Sequence, residues 1–405
     1  MTQPLYLTAK EAAAELNISL PTLYAYVSRN LIRSERTGKG RTRLYRADDV
    51  RALIERRHGM HETAADPSGR DAPLLESALT LIRNGKFYYR GRDALALAQS
   101  ASLESIATLL WNCHGNDPFT EMPDAPAIGS DPTLRALSPV ARCQALLPRF
   151  AATDLQAFSI TTESRLHVGA RILRLVASLI AGTDETGKPC HHILAAGWGI
   201  RDQENVELLR MALALFADHE LNPSTFTVRC VASTGANLYL AVNAGFSALQ
   251  GPLHGGQVEQ ASALIEECGR AESPRQAVAS RLRRGESFGG FGHPLYPGGD
   301  PRAALLLARL QDVFPQRPQL TLAMETAAAV EEFSGEKPNG DFALATLAAT
   351  IGLGPEHALG LFAAGRTAGW IGHALEQYGQ ARLIRPRARY TGPPPRGSDQ
   401  IQPDG

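Results

Sequence analysis

Three histidines stand in glycine-rich or acidic settings rather than within apolar stripes: Asp218-His219-Glu220, Gly251-Pro252-Leu253-His254-Gly255-Gly256 and Gly289-Gly290-Phe291-Gly292-His293. A histidine taken alone is more often structural, and a glycine cluster more often a turn. Glycines on both sides of His254, however, let backbone and ligand approach closely, which core packing does not require. Downstream come Asp300-Pro301-Arg302, then Pro338-Asn339-Gly340-Asp341-Phe342, Gly365-Arg366-Thr367-Ala368 and Arg385-Pro386-Arg387. Arg366 interrupts the apolar stretch LGLFAAGRTAGWIGHALEQ, where a guanidinium is costly unless it meets an anion. An internal salt bridge would satisfy one such arginine. Several separated arginines with histidines nearby suit a polycarboxylate better, because the planar fork grips carboxylates bidentately. Cys190-His191-His192 could hold a metal, but adjacent residues seldom share one site and nothing completes it, so no metal is expected. Glu220 and Glu259 are expected to be solvated or paired.

The elements that must position these residues are mostly helices. From about Leu74 onward, alanine- and leucine-rich segments recur at 3.6 spacing over 103–111, 165–181, 204–217, 257–268, 303–313, 322–333 and 357–379, and strand signals are few. The first 58 residues read differently. Thr8 followed by Glu11 has capping-box spacing ahead of an alanine-rich helix over 8–16, and a second helix is predicted from Ser19 to about Arg29 after a short turn. Two strands around Gly38-Lys39-Gly40 and a helix over 47–57 complete a small module. Residues 59–74 are polar and Pro/Gly-rich, as expected of a linker, and 394–405 read as a disordered tail.

Composition bounds the answer. At 405 residues and 44% hydrophobic content the chain can build two or three domains around real cores. The formal charge of +0 offers no global field toward nucleic acid or membrane, yet residues 1–58 carry 11 Lys/Arg against 6 Asp/Glu. A basic module is joined to an acidic body. The five cysteines have no CxxC spacing and are read as reduced thiols. No apolar run approaches the roughly 18 residues of a membrane span, and no signal-like N-terminal segment is seen, so a cytoplasmic protein without a membrane partner is expected.

Read in order, DHELNPSTF, GPLHGG, GFGHPLYPGGDPRA, PNGDF, LFAAGRTAGWIGHALEQ and IRPRARYTGP resemble the successive signatures of citrate synthases, and GKFYYRGRDALALA resembles the family's YRG motif. The resemblance spans about 75–393. It implies a mainly α citrate-synthase fold, with a large domain (about 75–254 and 346–393), a small domain (about 255–345), the site between them, and a homodimer. The implied activity is an acyltransferase of the tricarboxylic acid cycle that condenses acetyl-CoA with oxaloacetate, CoA entering as the substrate thioester and no cofactor being needed. By residue, the resemblance makes Asp341 the base, His254 the neutral donor to the thioester oxygen and His293 the donor to the ketone of oxaloacetate. His219, Arg302, Arg366 and Arg385 would bind the dicarboxylate, Arg385 reaching in from the partner subunit. Such roles suit the chemistry, since a thioester methyl is weakly acidic and needs both a base and a donor where enolate charge develops.

The sequence departs from the family in places. After His293 it reads PLYPGGDPR where the common bacterial pattern is RVYK followed by DPR, so Pro294 and Pro297 replace basic residues that would approach CoA phosphates. Lys337 remains a candidate for that contact. Gly340 stands where valine is usual and is expected to loosen the backbone beside the base. Residues 115–165 lack the family's proline-histidine signature. The N-terminal module is similar to the winged helix-turn-helix of excisionase and MerR-type proteins, through LTAKEAAAELNISLPTLYAYVSRNLI and the wing GKGRTRLYRADDV. Its candidates for DNA contact are Thr22, Tyr24, Arg29, Arg36, Lys39, Arg41 and Arg43, although no early Arg, Gln or Asn offers bidentate base reading. A protein-interaction module is the alternative there. For the body, the alternatives are a 2-methylcitrate synthase taking propionyl-CoA, and a DNA-binding regulator with a synthase-like sensor domain; one methylene is worth only about 1–3 kcal/mol in a pocket.

Overall fold

In the computed structural model the chain forms two compact units, Met1–Ala72 and Pro73–Gly405. The residues described are 6–16, 23, 27, 32–36, 43–47, 49–50, 75–115, 117–386, 388 and 390–393, without the side chains of 14, 35 and 36.

In the first unit the expected capping box is present. The Thr8 N–H donates to Glu11 Oε2 at 2.8 Å and the Glu11 N–H to Thr8 Oγ1 at 3.3 Å, opening helix α1 (Ala9–Glu15). Strands β1 (Tyr6–Leu7), β2 (Ser34–Arg36) and β3 (Arg43–Arg46) form an antiparallel sheet in the order β1-β3-β2, with Arg36 opposite Arg43. The wing strands were legible in the sequence; β1 was not. Leu7, Ala12, Leu16, Ile32, Tyr45 and Val50 share one apolar cluster with Leu23. Arg33 and Asp49 close the module with an ion pair of 2.7 Å.

The second unit begins with a meander rather than a helix. Strands β4 (Thr80–Arg83), β5 (Lys86–Tyr89) and β6 (Arg92–Asp93) are joined by two tight turns whose central residues all have positive φ: Asn84 and Gly85 at 53° and 71°, Arg90 and Gly91 at 45° and 78°. Such turns match the twist of paired strands and favour Asn-Gly. Helices follow: α2 (Ala94–Ala98), α3 (Leu103–Leu110), α4 (Pro132–Ala136), α5 (Pro139–Thr153), α6 (Thr162–Ala181), α7 (Cys190–Gly197), α8 (Gln203–Leu215), α9 (Pro223–Ser233) and α10 (Leu238–Leu249). They continue with α11 (Gly256–Arg270), α12 (Pro274–Arg283), α13 (Pro301–Val313), α14 (Pro318–Ser334), α15 (Gly340–Thr350) and α16 (Pro355–Gln380). The mainly helical fold expected for the body is what the chain adopts. Each segment expected from 3.6 spacing lies within or beside one of these helices.

Helix α16 is the axis of this unit, packing against α3, α6, α8, α9, α10, α11 and α15. It is buried nearly all round from Ala358 to Ala374, which explains its almost wholly apolar sequence. No helix among the described residues is long and apolar enough to cross a membrane.

Candidate active site

Helix α8 ends at Leu215 with Phe216 as its C-cap, and the chain then turns through the Asp-His-Glu motif. Tyr89, of the Tyr-Arg-Gly motif on β5, anchors that turn by donating from its buried phenol to the Ala214 and Leu215 carbonyls at 3.0 and 3.1 Å. Asp218 faces the interior, accepting from Thr80 Oγ1 at 2.5 Å and lying 3.3 Å from Nε2 of the fully buried His373. Between them, these contacts fix the backbone on which His219 is presented. Glu220 is unpaired and only partly solvated: it takes a left-handed backbone, φ 55°, is partly buried, and has no hydrogen bond among the described residues. Burial and the neighbouring Asp218 raise its carboxyl pKa.

Two arginines from different helices bring positive charge to the same place. Arg302, at the start of α13, is buried and forked onto Asp300, with Nε to Oδ1 at 3.0 Å and Nη2 to Oδ2 at 2.7 Å. Burial alone would raise the Asp300 carboxyl, but the Arg302 charge and hydrogen bonds hold it below the usual range. Nε and Nη2 of this fork are therefore spent inside the protein, and Nη1 has no hydrogen bond among the described residues. Arg366, in mid-α16, has no such partner. Its Nε donates to the Phe216 carbonyl at 3.1 Å, while Nη1 is sealed from solvent with no hydrogen-bond partner. The internal salt bridge that could have explained this arginine is absent among the described residues. Burial, with Arg302 nearby, pushes its pKa down to about 10, so it remains a cation at neutral pH.

Around these cations the histidines are neutral. Burial is the main cause at each, taking His254 and His293 down to about 4 and His219 well below the ordinary value. Arg366 acts further on His254, and Arg302 on His293 and His219. His219 and His293 meet edge to face at 5.2 Å between ring centres. The Leu295 N–H donates to His293 Nδ1 at 3.1 Å, which makes Nδ1 an acceptor and leaves the proton of the neutral ring on Nε2. His254 Nε2 lies 2.8 Å from Ser224 Oγ. That hydroxyl also receives the Trp370 indole N–H at 3.2 Å and lies 2.9 Å from Asn222 Oδ1, so its single proton serves either Asn222 or His254. The glycines beside His254 are only partly explained by ligand approach: a Cβ on Gly255 would stand 2.4 Å from the Leu249 carbonyl, so close backbone packing already demands glycine there.

Asp341 is the second residue of α15, and its N–H is capped by Asn339 Oδ1 at 2.9 Å. Among the described residues no other residue hydrogen-bonds its carboxylate, on which only its own backbone N–H acts. Burial raises it from 3.8 to about 6, with Asp300 adding to the rise and Arg302 and Arg366 opposing it. Gly340 does not loosen this corner as expected. Its N–H is held by Asp300 Oδ2 at 2.9 Å, and a Cβ would strike the Phe216 ring at 2.6 Å. The glycine makes room for an aromatic ring that also lies 5.2 Å from the Arg302 guanidinium.

Thus His219, His254, His293, Arg302, Arg366 and Asp341 are linked by direct contact or by mutual electrostatic influence. Arg385 is not among them: it is exposed and lines a separate 530 Å³ cavity with Gln377, Gln380 and Arg382. Lys337 is half-exposed, 3.9 Å from Glu331, and lines a 160 Å³ cavity with His293 and Tyr296. Of the basic module's candidates, Arg43 is exposed and reaches Ser34 Oγ at 3.4 Å. Thr22, Tyr24, Arg29, Lys39, Arg41 and the side chain of Arg36 lie outside the described residues, as do 59–74 and 394–405. Cys190 is buried, with its thiol pKa pushed up, and among the described residues no three potential ligands gather to hold a metal. Sequence reasoning missed Ser224, Asp300 and Tyr296; the Asp-Pro-Arg spacing, an N-cap before a helical proline, was the available signal for Asp300.

Comparison with known proteins agrees with this architecture. The family profile "Citrate synthase, C-terminal domain" matches residues 68–387, and "Helix-turn-helix domain" matches 6–58. The citrate synthase of Haloferax volcanii is 34% identical over 357 residues, covering 79% of this chain and 93% of that protein. The 2-methylcitrate synthase of Shewanella oneidensis is 33% identical over 196 residues, 47% of this chain and 52% of that protein. Among solved structures, the ternary complex of carboxymethyl coenzyme A and oxaloacetate with citrate synthase from the thermophilic archaeon Thermoplasma acidophilum aligns with a TM-score of 0.69 and 27% identity, over 83% of this chain and 98% of that one. With a family profile covering most of its length and a relative above 30% identity along nearly its whole body, the chain belongs to the citrate synthase family and carries a helix-turn-helix domain ahead of the enzyme.

Proposed function

We propose that the protein condenses acetyl-CoA with oxaloacetate and hydrolyses the resulting thioester to citrate and CoA. The observation that carries this reading is Arg366, a buried cation with a sealed, unpartnered Nη1. Such a group calls for an anionic ligand. Around it stand a carboxylate poised near pH 6 and neutral imidazoles, the set that enolate chemistry needs. In this reading Asp341 removes the methyl proton, and its raised pKa makes it a stronger base than an ordinary aspartate. His254 donates to the thioester oxygen; this requires Ser224 to give its proton to Nε2, so that Nδ1–H is available. The enolate carbon attacks the ketone of oxaloacetate, whose oxygen receives the hydrogen bond from His293 Nε2–H. Arg302, Arg366 and His219 hold the carboxylates, and Arg385 is supplied by a second copy of the chain across a homodimer. Lys337 is the cation available to CoA phosphate at the mouth. The part from 255 to 345 would close on the part formed by 75–254 and 346–393.

Propionyl-CoA as the acyl donor is the second reading, favoured by the match to a relative named as a 2-methylcitrate synthase. A thiol-release assay with oxaloacetate and either thioester separates the two. Higher kcat/KM for acetyl-CoA supports the first, higher kcat/KM for propionyl-CoA the second, and no release with either overturns both. For the N-terminal module the proposed partner is DNA. The excess of basic over acidic residues in 1–58, 11 Lys/Arg against 6 Asp/Glu, suits a polyanionic partner.

A further inference from the structure

His219 presents two nitrogens to very different surroundings. Nε2 lies 2.8 Å from the phenol oxygen of Tyr296. Nδ1 has no hydrogen-bond partner among the described residues and is not one of the atoms sealed from solvent. A neutral imidazole holds one proton, and the partner of one nitrogen decides whether the other donates or accepts. His219 is neutral, since burial and the two arginines strongly disfavour its cation. Tyr296 is a phenol, because burial pushes its ionisation far above the ordinary value. Its hydrogen has no acceptor among the described residues other than His219 Nε2. Were the ring to donate instead, the buried phenol O–H would be left unused, and a lone pair on Nδ1 would confront any carboxylate drawn in by the arginines.

We propose that Tyr296 is a positioning residue, whose hydroxyl donates to His219 Nε2 and so fixes the Nδ1–H tautomer that hydrogen-bonds the dicarboxylate. The segment around it is built to hold the phenol. The Tyr296 N–H donates to the His293 carbonyl at 3.0 Å, the Gly299 N–H donates to the Tyr296 carbonyl at 2.9 Å, and the ring packs 5.0 Å from that of His293. Pro294 and Pro297, which replace basic residues of the common pattern, flank Leu295-Tyr296, and Pro297 restricts the backbone of Tyr296 as Pro294 does that of His293. What the sequence loses in cations it gains in rigidity at the residue that sets the histidine.

The tautomer does not depend on what the site binds, whereas the ligand step rests on the oxaloacetate reading, so the test has two arms. Full-length protein labelled with [15N]histidine is compared with Tyr296→Phe by long-range 1H–15N correlation, the His219 signals being identified by their loss in His219→Gln. Wild type is expected to show a protonated Nδ1, and Tyr296→Phe a shift of the proton toward Nε2. In kinetics, the same variant is expected to raise the oxaloacetate KM about tenfold, the effect of one hydrogen bond, with the acyl-CoA KM within about twofold. Unchanged His219 signals in Tyr296→Phe overturn the proposal, and changed signals with an unchanged oxaloacetate KM overturn its ligand step. A tautomer switch in a protein that releases no thiol at all would instead count against the oxaloacetate reading and leave the tautomer assignment standing.

Discussion

At the scale of single residues the proposed chemistry turns on a carboxylate that burial makes costly to keep charged. A rise in the Asp341 pKa from 3.8 to about 6 corresponds to about 3 kcal/mol, an upper bound on what the folded state gives up to keep this group ionised. The sign follows from linkage. Folding favours the protonated form, so the cost is full above about pH 6 and disappears below about pH 4. Asp341→Asn is therefore expected to melt at a higher temperature than wild type at pH 8 and at the same temperature at pH 4, as read by calorimetry. The wild-type rate should fall as pH drops through about 6, because the base is then protonated, while His254 and His293 remain neutral down to about 4. A rate that stays flat from pH 8 to 5 would remove Asp341 from the role of base. The identities of these residues were legible in the sequence because their short motifs recur in order. Tyr296 and Ser224 were not, since what makes each matter is a contact with a histidine 77 or 30 positions away.

At the scale of elements, periodicity fails in opposite ways. Helix α15 is buried on nearly every side, so its sequence GDFALATLAAT has no polar face for periodicity to find. Helix α12 has the opposite fault, burying only Ala277 and Val278 in PRQAVASRLR. The β4–β6 meander is signalled by Asn84-Gly85 between apolar runs, but its strands are too short to stand out beside the helices. Gly340 shows how an element boundary can mislead. Read as a loosening substitution, it instead accommodates Phe216, whose carbonyl holds Arg366 and whose ring lies beside Arg302. Gly340→Val, the residue common in the family, is thus expected to lower stability by roughly 1–3 kcal/mol through overpacking. It should also cut activity, and Phe216→Leu in the same chain should recover much of both. Additive losses in the double variant, measured by denaturant titration and thiol release, would show that the two positions are not coupled.

At the scale of the whole molecule, two features reach beyond one active site. Arg385 is exposed in a single chain, away from the residues it is proposed to join, which suits delivery across a dimer. Mixing inactive Arg385→Leu with inactive Asp341→Ala should then restore part of the activity, and no recovery after demonstrated subunit exchange would place Arg385 elsewhere. The basic module, net +5 over residues 1–58 by the counts above, should bind duplex DNA with an affinity that falls steeply with salt. Removing residues 1–70 should abolish that binding and leave condensation within a few-fold of wild type. Binding that survives the truncation, or none at low salt, would leave a protein-interaction role for the module. The central claim is tested most directly by Asp341→Ala, assayed for oxaloacetate-dependent thiol release beside calorimetric titration with oxaloacetate. The expected result is a loss of kcat by about a hundredfold or more with oxaloacetate affinity nearly unchanged; a variant that keeps more than about a tenth of the wild-type kcat would contradict it.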